Sequence, residues 1–150
     1  PAGPMPFDKV VSLPKLEGRR IRGVPHDVEG FVRVDSHCRV LRADHVYAAG
    51  DVTNFPVKQG GLATQQADVV AESIAARLGA EVEPAEFDPV LRGVLWTGGE
   101  SRYLQGWLAG GHGETSTITE APPWGADQDK IVGRYLTEFL AGVAVQSIAA

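Results

Sequence analysis

The feature that most constrains this chain is an apolar run ending in Gly-Asp, followed after a short loop by a helix opened by two glycines. Val46-Tyr47-Ala48-Ala49 is apolar on both faces, which predicts a strand covered on both sides, with Gly50-Asp51 at its carboxyl end. Gly60-Gly61-Leu62-Ala63-Thr64-Gln65-Gln66-Ala67 then begins a helical pattern. Ala63, Ala67, Val70, Ala71, Ile74, Ala75 and Leu78 share one face of a helix over Leu62 to Leu78, and Gly79 supplies its stop. So much alanine on that face predicts close approach to a sheet. Strand, turn and helix together would bring one carboxylate and one helix N-terminus to the same ligand.

The flanking segments fill out an α/β to α+β pattern. Asp8 to Leu13 has a short β-type apolar centre closed by Pro14, and a Gly/Arg/Pro-rich connector runs from Glu17 to His26. Phe31-Val32-Arg33-Val34 alternates apolar and charged side chains, which predicts a half-exposed strand, and Cys38 to Leu41 continues as a short paired one. The acidic stretch from Glu81 to Asp88 carries Pro84 and marks a boundary between a first domain, 1–80, and a second, 81–150. Val90 to Thr97 and Ser101 to Leu108 read as two strands joined by Gly98-Gly99. Gly110 to Gly113 reads as a loop, and Ser116 to Thr119 as a further strand ended by Pro122-Pro123. Asp127 to Ala141 reads as an amphipathic helix with Ile131, Val132, Tyr135, Leu136, Phe139 and Leu140 on one side, and Val143 to Ala150 as a loosely packed end.

Composition narrows the function classes. The 150 residues, 43% hydrophobic, suffice for one ordinary core or two small ones. The net charge is −5 and no Lys/Arg cluster breaks the mixed pattern, which disfavours nucleic acid and anionic membrane surfaces as partners. No stretch approaches the roughly 18 apolar residues a membrane span needs, and no signal-peptide pattern opens the chain, so a soluble, cytoplasmic protein is expected. A single cysteine, Cys38, excludes an intrachain disulfide and reads as a small buried hydrophobe. The loop-like Pro1 to Pro6 opening suggests the C-terminal portion of something longer.

The central motif has a definite chemistry. Open α/β folds bind ligands at the carboxyl ends of their strands. Gly50 lacks a Cβ, so a ligand can lie close to the backbone, and Asp51 offers a carboxylate acceptor to a sugar-like hydroxyl. The first-turn amides after Gly60 and Gly61 carry partial positive charge and attract electron-rich groups. An Asp that merely caps its own turn and a glycine pair that merely ends a loop are the plainer readings of the same residues.

The arrangement resembles the second flavin-binding motif of the FAD-dependent pyridine nucleotide-disulfide oxidoreductases, in particular the sulfide:quinone oxidoreductase and type II NADH dehydrogenase-like branch. That resemblance implies that Gly50 and Asp51 meet the ribityl chain of FAD and that the amides near Gly60, Gly61, Leu62 and Ala63 stabilise the reduced flavin. It also implies that Lys58, in Pro56-Val57-Lys58-Gln59, approaches the flavin pyrimidine edge. Asp8 to Pro14 resembles the segment by which the chain re-enters the FAD domain, and Glu29 to Asp35 the hairpin element before the Gly-Asp motif. Leu95 to Gly99, Tyr103-Leu104 and Lys130 to Leu136 look like the C-terminal domain of that branch, which covers the flavin or makes dimer contacts. Many members have Thr after an Arg ahead of the motif, whereas Arg39 is followed by Val40.

The resemblance thus implies the end of a three-layer FAD-binding domain followed by a small α+β domain. NAD(P)H would be the electron donor and a quinone or other acceptor the recipient. Gly110-Gly111-His112-Gly113 lacks the strand-to-helix context of a dinucleotide fingerprint, so the ADP-binding and NAD(P)-binding portions are expected upstream. The fragment alone is expected to be inactive, and a homodimer is conceivable. No residue is assigned a catalytic role. No cysteine follows Asp51, which argues against sulfide as the substrate.

His26, His37, His45 and His112 make no metal-ligand spacing. Trp96, Trp107 and Trp124 read as core aromatics ahead of a quinone- or flavin-facing pocket, and the resemblance implies that the loop carrying Trp124 can approach the cofactor. The mixed charges of the last helix favour docking on its own core or a second subunit over a membrane. The rivals are a non-catalytic dimerisation or ligand-binding domain with no flavin, and a ferredoxin or rubredoxin reductase, whose C-terminal domain differs.

Overall fold

The computed structural model describes residues 3–4, 6–109, 112–124, 130–131, 133–136, 138–139 and 142. They form a small α+β structure in which one helix, α1 (Gly60–Arg77), joins a set of bridged turns to a three-stranded antiparallel sheet. The helix ends where the sequence predicts. The Leu78 amide donates to the Ile74 carbonyl at 3.0 Å, and Gly79 turns the chain away at φ +92.

The stripe that α1 buries corrects the sequence expectation. Leu62, Gln66, Val69 and Ser73 are buried together with Gly61 and Glu72. Ala67, Ala71 and Ile74 of the expected alanine face are exposed, and Leu78 is 81% exposed. The reason is that α1 docks through directional polar contacts. The Gln65 carboxamide donates to the Val90 carbonyl and accepts from the Val90 amide, both at 2.9 Å, as a neighbouring strand would. The Glu72 carboxylate accepts from the Arg134 guanidinium, from the Tyr135 hydroxyl at 3.1 Å and from the Ala85 amide at 3.1 Å. A buried polar group left without such partners would cost more than an exposed alanine methyl does, so the hydrogen bonds choose the face.

Residues 18–54 hold together through turns and single bridges where the sequence suggests three strands. Val32 bridges Thr53 in parallel, while Val34 pairs with Val40 and Arg39 with Tyr47 in antiparallel fashion. Asp35 organises the 34–40 turn by accepting the His37 and Arg39 amides at 2.9 Å each. The expected strand Val46 to Ala49 pairs along one edge only, through Val40 N–H to Val46 O at 2.9 Å and Ala48 N–H to Cys38 O at 3.0 Å. Among the described residues nothing pairs its other edge, and Val46 is exposed instead of covered on both faces. The expected β-type segment from Asp8 to Leu13 has no regular structure, with Val11 93% and Leu13 96% exposed. No described strand runs alongside to complete a ladder.

The sheet follows its hairpin signal closely. β1 (Val90–Leu95) and β2 (Arg102–Ala109) pair across the Gly98-Gly99 connection with Val90 opposite Trp107. β3 (His112–Thr119) begins four residues before the expected Ser116, because Leu108 and Ala109 at the end of β2 pair with Gly113 and His112. Gly110 and Gly111 lie outside the described residues. At Gly106 a Cβ would come within 3.2 Å of the Thr115 carbonyl, so glycine there lets β3 close on β2. Of the three tryptophans, Trp124 is buried and meets Tyr103 edge-on at 5.9 Å. Trp96, just past the end of β1, and Trp107 in β2 are exposed and correct the reading of all three as core.

The acidic 81–88 stretch packs back onto the first half of the chain. The Phe87 amide donates to the Ser36 carbonyl at 2.8 Å, and its ring meets Phe55 edge-on at 5.2 Å. Of the helix expected over Asp127 to Ala141, Arg134–Leu136, Glu138 and Phe139 are helical, as is Gly142 just past its expected end, whereas Lys130, Ile131 and Gly133 are not; the other residues of the segment, with Val143 to Ala150, lie outside the described residues. Tyr135 and Phe139 of its expected apolar side are exposed, because Arg134 and Tyr135 reach for Glu72 and the Arg134 amide donates to Asp68 at 2.6 Å. Replacing Glu72 removes the partner of three groups at once. Glu72→Ala is expected to lower the unfolding free energy in urea by about 2 kcal/mol, whereas Glu81→Ala, at an exposed position, changes it by less than about 0.5 kcal/mol.

Candidate functional site

Gly50, Asp51 and Val52 form a single 3-10 turn set against the start of α1. Gly50 has φ +80, and a Cβ there would lie 3.3 Å from the Ala63 side chain, so both backbone conformation and contact call for glycine. Its amide donates to the Gln66 carboxamide oxygen at 2.6 Å. Its carbonyl accepts from the Thr53 amide at 3.0 Å and from the Thr53 hydroxyl at 2.9 Å. Thr53 is fully buried, so the turn is pinned from both sides. Asp51 points its carboxylate out of this pinned turn. It is exposed and makes no hydrogen bond or ion pair among the described residues.

The N-terminus of α1 contributes donors. The Leu62 and Ala63 amides already donate to the Gln59 carbonyl, at 3.1 and 3.0 Å. Among the described residues the Gly60 and Gly61 amides have no partner, which leaves them for a ligand. Of the residues the sequence singles out, then, Asp51 and Gly60 are exposed and Gly50 half-buried, while Gly61 and Leu62 are buried and Ala63 packs against Gly50.

Lys58 is placed differently from its expected approach to a ligand. Its ammonium donates to the Thr53 carbonyl and, at 2.6 Å, to the Phe55 carbonyl, and lies 4.1 Å from the centre of the Phe31 ring. Burial lowers its pKa, and the charges of Asp51 and Asp27 oppose that shift. Lys58 thus clamps the 53–58 loop beneath the turn and offsets the Asp51 charge at a distance.

Sequence reasoning passed over the glutamines. Gln66 orients Gly50, Gln65 ties the helix to β1, and Gln59 donates to the Arg92 carbonyl at 2.7 Å. The Gln59 carboxamide oxygen is buried without a partner and lies 3.0 Å from where a Cβ of Gly61 would stand, so the helix mouth also holds an unused acceptor. The signal available was the polar pair Gln65-Gln66 within an otherwise small and apolar helix start.

The set can hold a ligand that offers hydroxyls to Asp51 and an electron-rich edge to the Gly60 and Gly61 amides. Among the described residues no group of His, Cys, Asp or Glu is disposed to hold a metal ion, and no helix is long and apolar enough to cross a membrane. Comparison with known proteins found no matching family model, no matching curated protein and no matching solved structure.

Cys38 stands apart from this chemistry. It is 1% exposed, and burial, aided by the Asp35 charge, pushes its thiol up to about 11. At pH 8 only about one thiol in a thousand would be ionised. Iodoacetamide at pH 8 is therefore expected to leave Cys38 unmodified in the native protein and to alkylate it fully in urea, as read by mass spectrometry.

Proposed function

We propose that this chain carries the flavin-facing part of an FAD-dependent, NAD(P)H-linked oxidoreductase of the sulfide:quinone oxidoreductase and type II NADH dehydrogenase-like branch. The observation that supports this most is the Gly50-Asp51 turn held on the first turns of α1, with an unpaired carboxylate on one side and unpaired amides on the other. The residues fit the group. Asp51 would accept from ribityl hydroxyls, Gly50 allows the chain to lie close, and the Gly60 and Gly61 amides with the helix dipole would meet the electron-rich pyrimidine edge. The Gln59 oxygen would add an acceptor for an N–H donor there. When bound, FAD would supply the redox chemistry, taking a hydride from NAD(P)H and passing electrons to a quinone or other acceptor. The chain's own residues bind, orient and tune, and none is assigned bond-breaking.

Two uncovered surfaces support the same reading. The outer apolar face of α1 and the unpaired edge of the 46–49 segment are what a missing layer of a three-layer FAD domain would cover. The sheet β1–β3 would then form the small C-terminal capping or dimer-contact domain. The buried, un-ionised Cys38 disfavours sulfide as the donor.

In a protein that also contains the ADP-binding portion, Asp51→Ala is expected to lower bound flavin about tenfold or more, the cost of leaving a ligand hydroxyl unpaired, and Asp51→Asn to retain more of it. The measurement is the flavin-to-protein absorbance ratio after dialysis. The 150-residue chain alone is expected to bind FAD weakly or not at all. Flavin content unchanged in Asp51→Ala would favour the rival, a non-catalytic domain with a Gly-Asp turn.

A further inference from the structure

Gly61, Thr64, Asp68 and Glu72 follow one another at three- and four-residue steps, so they form one stripe of α1 that starts at its mouth. The chain beyond the sheet lies along this stripe. The Lys130 carbonyl is 3.7 Å from where a Cβ of Gly61 would stand. Gly133 is buried, and a Cβ there would come within 3.2 Å of the Thr64 side chain. The Arg134 amide donates to the Asp68 carboxylate at 2.6 Å. The Arg134 guanidinium and the Tyr135 hydroxyl both donate to Glu72, the latter at 3.1 Å. Lys130, Gly133, Arg134 and Tyr135 thus track α1 from its first turn to its middle.

This segment is held by polar contacts. Lys130, Arg134 and Tyr135 are exposed and Ile131 is half-buried, so of its described residues only Gly133 is buried. Its anchors converge on two carboxylates of α1. Ion pairs with a solvent-exposed partner contribute little, and segments that bury few apolar groups are the ones that open without global unfolding. Glu72 is 4% exposed beneath the segment, so lifting it returns that carboxylate to water while the Ala85 amide, at 3.1 Å, still donates to it. Upstream, Trp124 is buried edge-on to Tyr103 at 5.9 Å, with the Arg92 guanidinium 5.2 Å from its ring centre, which keeps the preceding chain on the sheet.

Gly61 shows what the segment covers. It is buried, although its amide has no partner among the described residues. The atoms nearest the place of its absent Cβ belong to the Gln59 carboxamide and the Lys130 carbonyl. We propose that Lys130, Ile131, Gly133, Arg134 and Tyr135 belong to a detachable strap that closes the mouth of α1. A ligand reaches the Gly61 amide when the strap leaves Asp68 and Glu72. The gating role rests on the site reading above, whereas the detachment of the strap does not.

The test is limited trypsin digestion of the full chain without added ligand, together with hydrogen exchange read by mass spectrometry. Arg134→Gln is the informative variant, because it removes one anchor through an exposed side chain and leaves the core untouched. It is expected to speed cleavage after Lys130 about tenfold, since cleavage follows the population of the open form, and to speed exchange of the 60–63 amides with it. Cleavage after Arg22 and exchange in β2 are expected to stay unchanged. Tyr135→Phe, which loses a single donor, is expected to act in the same direction and less strongly. Unchanged cleavage after Lys130 in Arg134→Gln would overturn the strap, as would an equal acceleration of exchange in β2, which would mean that the chain opens as a whole. Faster cleavage with unchanged exchange at 60–63 would overturn the gate. These readouts need no flavin, so a failure of the flavin reading shows separately, as a longer protein that stays colourless.

Discussion

The structure depends on hydrogen bonds that radiate from one helix. Gln66 holds the Gly50 turn, Gln65 and Gln59 hold the first strand of the sheet, and Glu72 gathers Ala85, Arg134 and Tyr135. Hydrophobic burial is present at Leu62 and Val69, but it does not choose the orientation of α1. Directional contacts do, because each buried amide or carboxylate is costly unless its partner stands in one place. The Gly-Asp turn, the sheet and the C-terminal segment therefore keep their places through α1, and a change at one glutamine would be felt in two parts of the fold.

This also sets what the sequence could reveal. The extent of α1, its stop at Gly79 and the hairpin across Gly98-Gly99 depend on local backbone preference, and the residues involved announced them. Which face α1 buries depends on where Val90, Gly50 and Ala85 come to lie, and periodicity alone carries none of that. An alanine-rich stripe pointed to the wrong face because polar residues can be the buried ones when each has a partner. The segments 8–13 and 46–49 have strand-like composition, yet a strand exists only with a neighbour, and among the described residues the first has none while the second has one edge paired.

The candidate site was legible in its backbone elements and obscure in its side chains. Gly50, Asp51, Gly60 and Gly61 could be named because a carboxylate beside a turn glycine and a glycine pair opening a helical pattern are visible in the sequence itself. Lys58 was expected to face a ligand, but two carbonyls and an aromatic ring within its own loop hold the ammonium inward. The orphan acceptor on Gln59 and the pinning role of Gln66 require coordinates, since a glutamine in a sequence does not say what it will meet.

The central claim is that the turn and helix mouth belong to a flavoprotein. The most direct measurement is an anaerobic absorbance titration of a longer protein that joins this chain to the proposed ADP-binding portion, with NADH, NADPH and sulfide in turn. The account predicts flavin bands that bleach on addition of one of the nicotinamide nucleotides and persist with sulfide. A colourless protein, or a flavin reduced by sulfide alone, would contradict it.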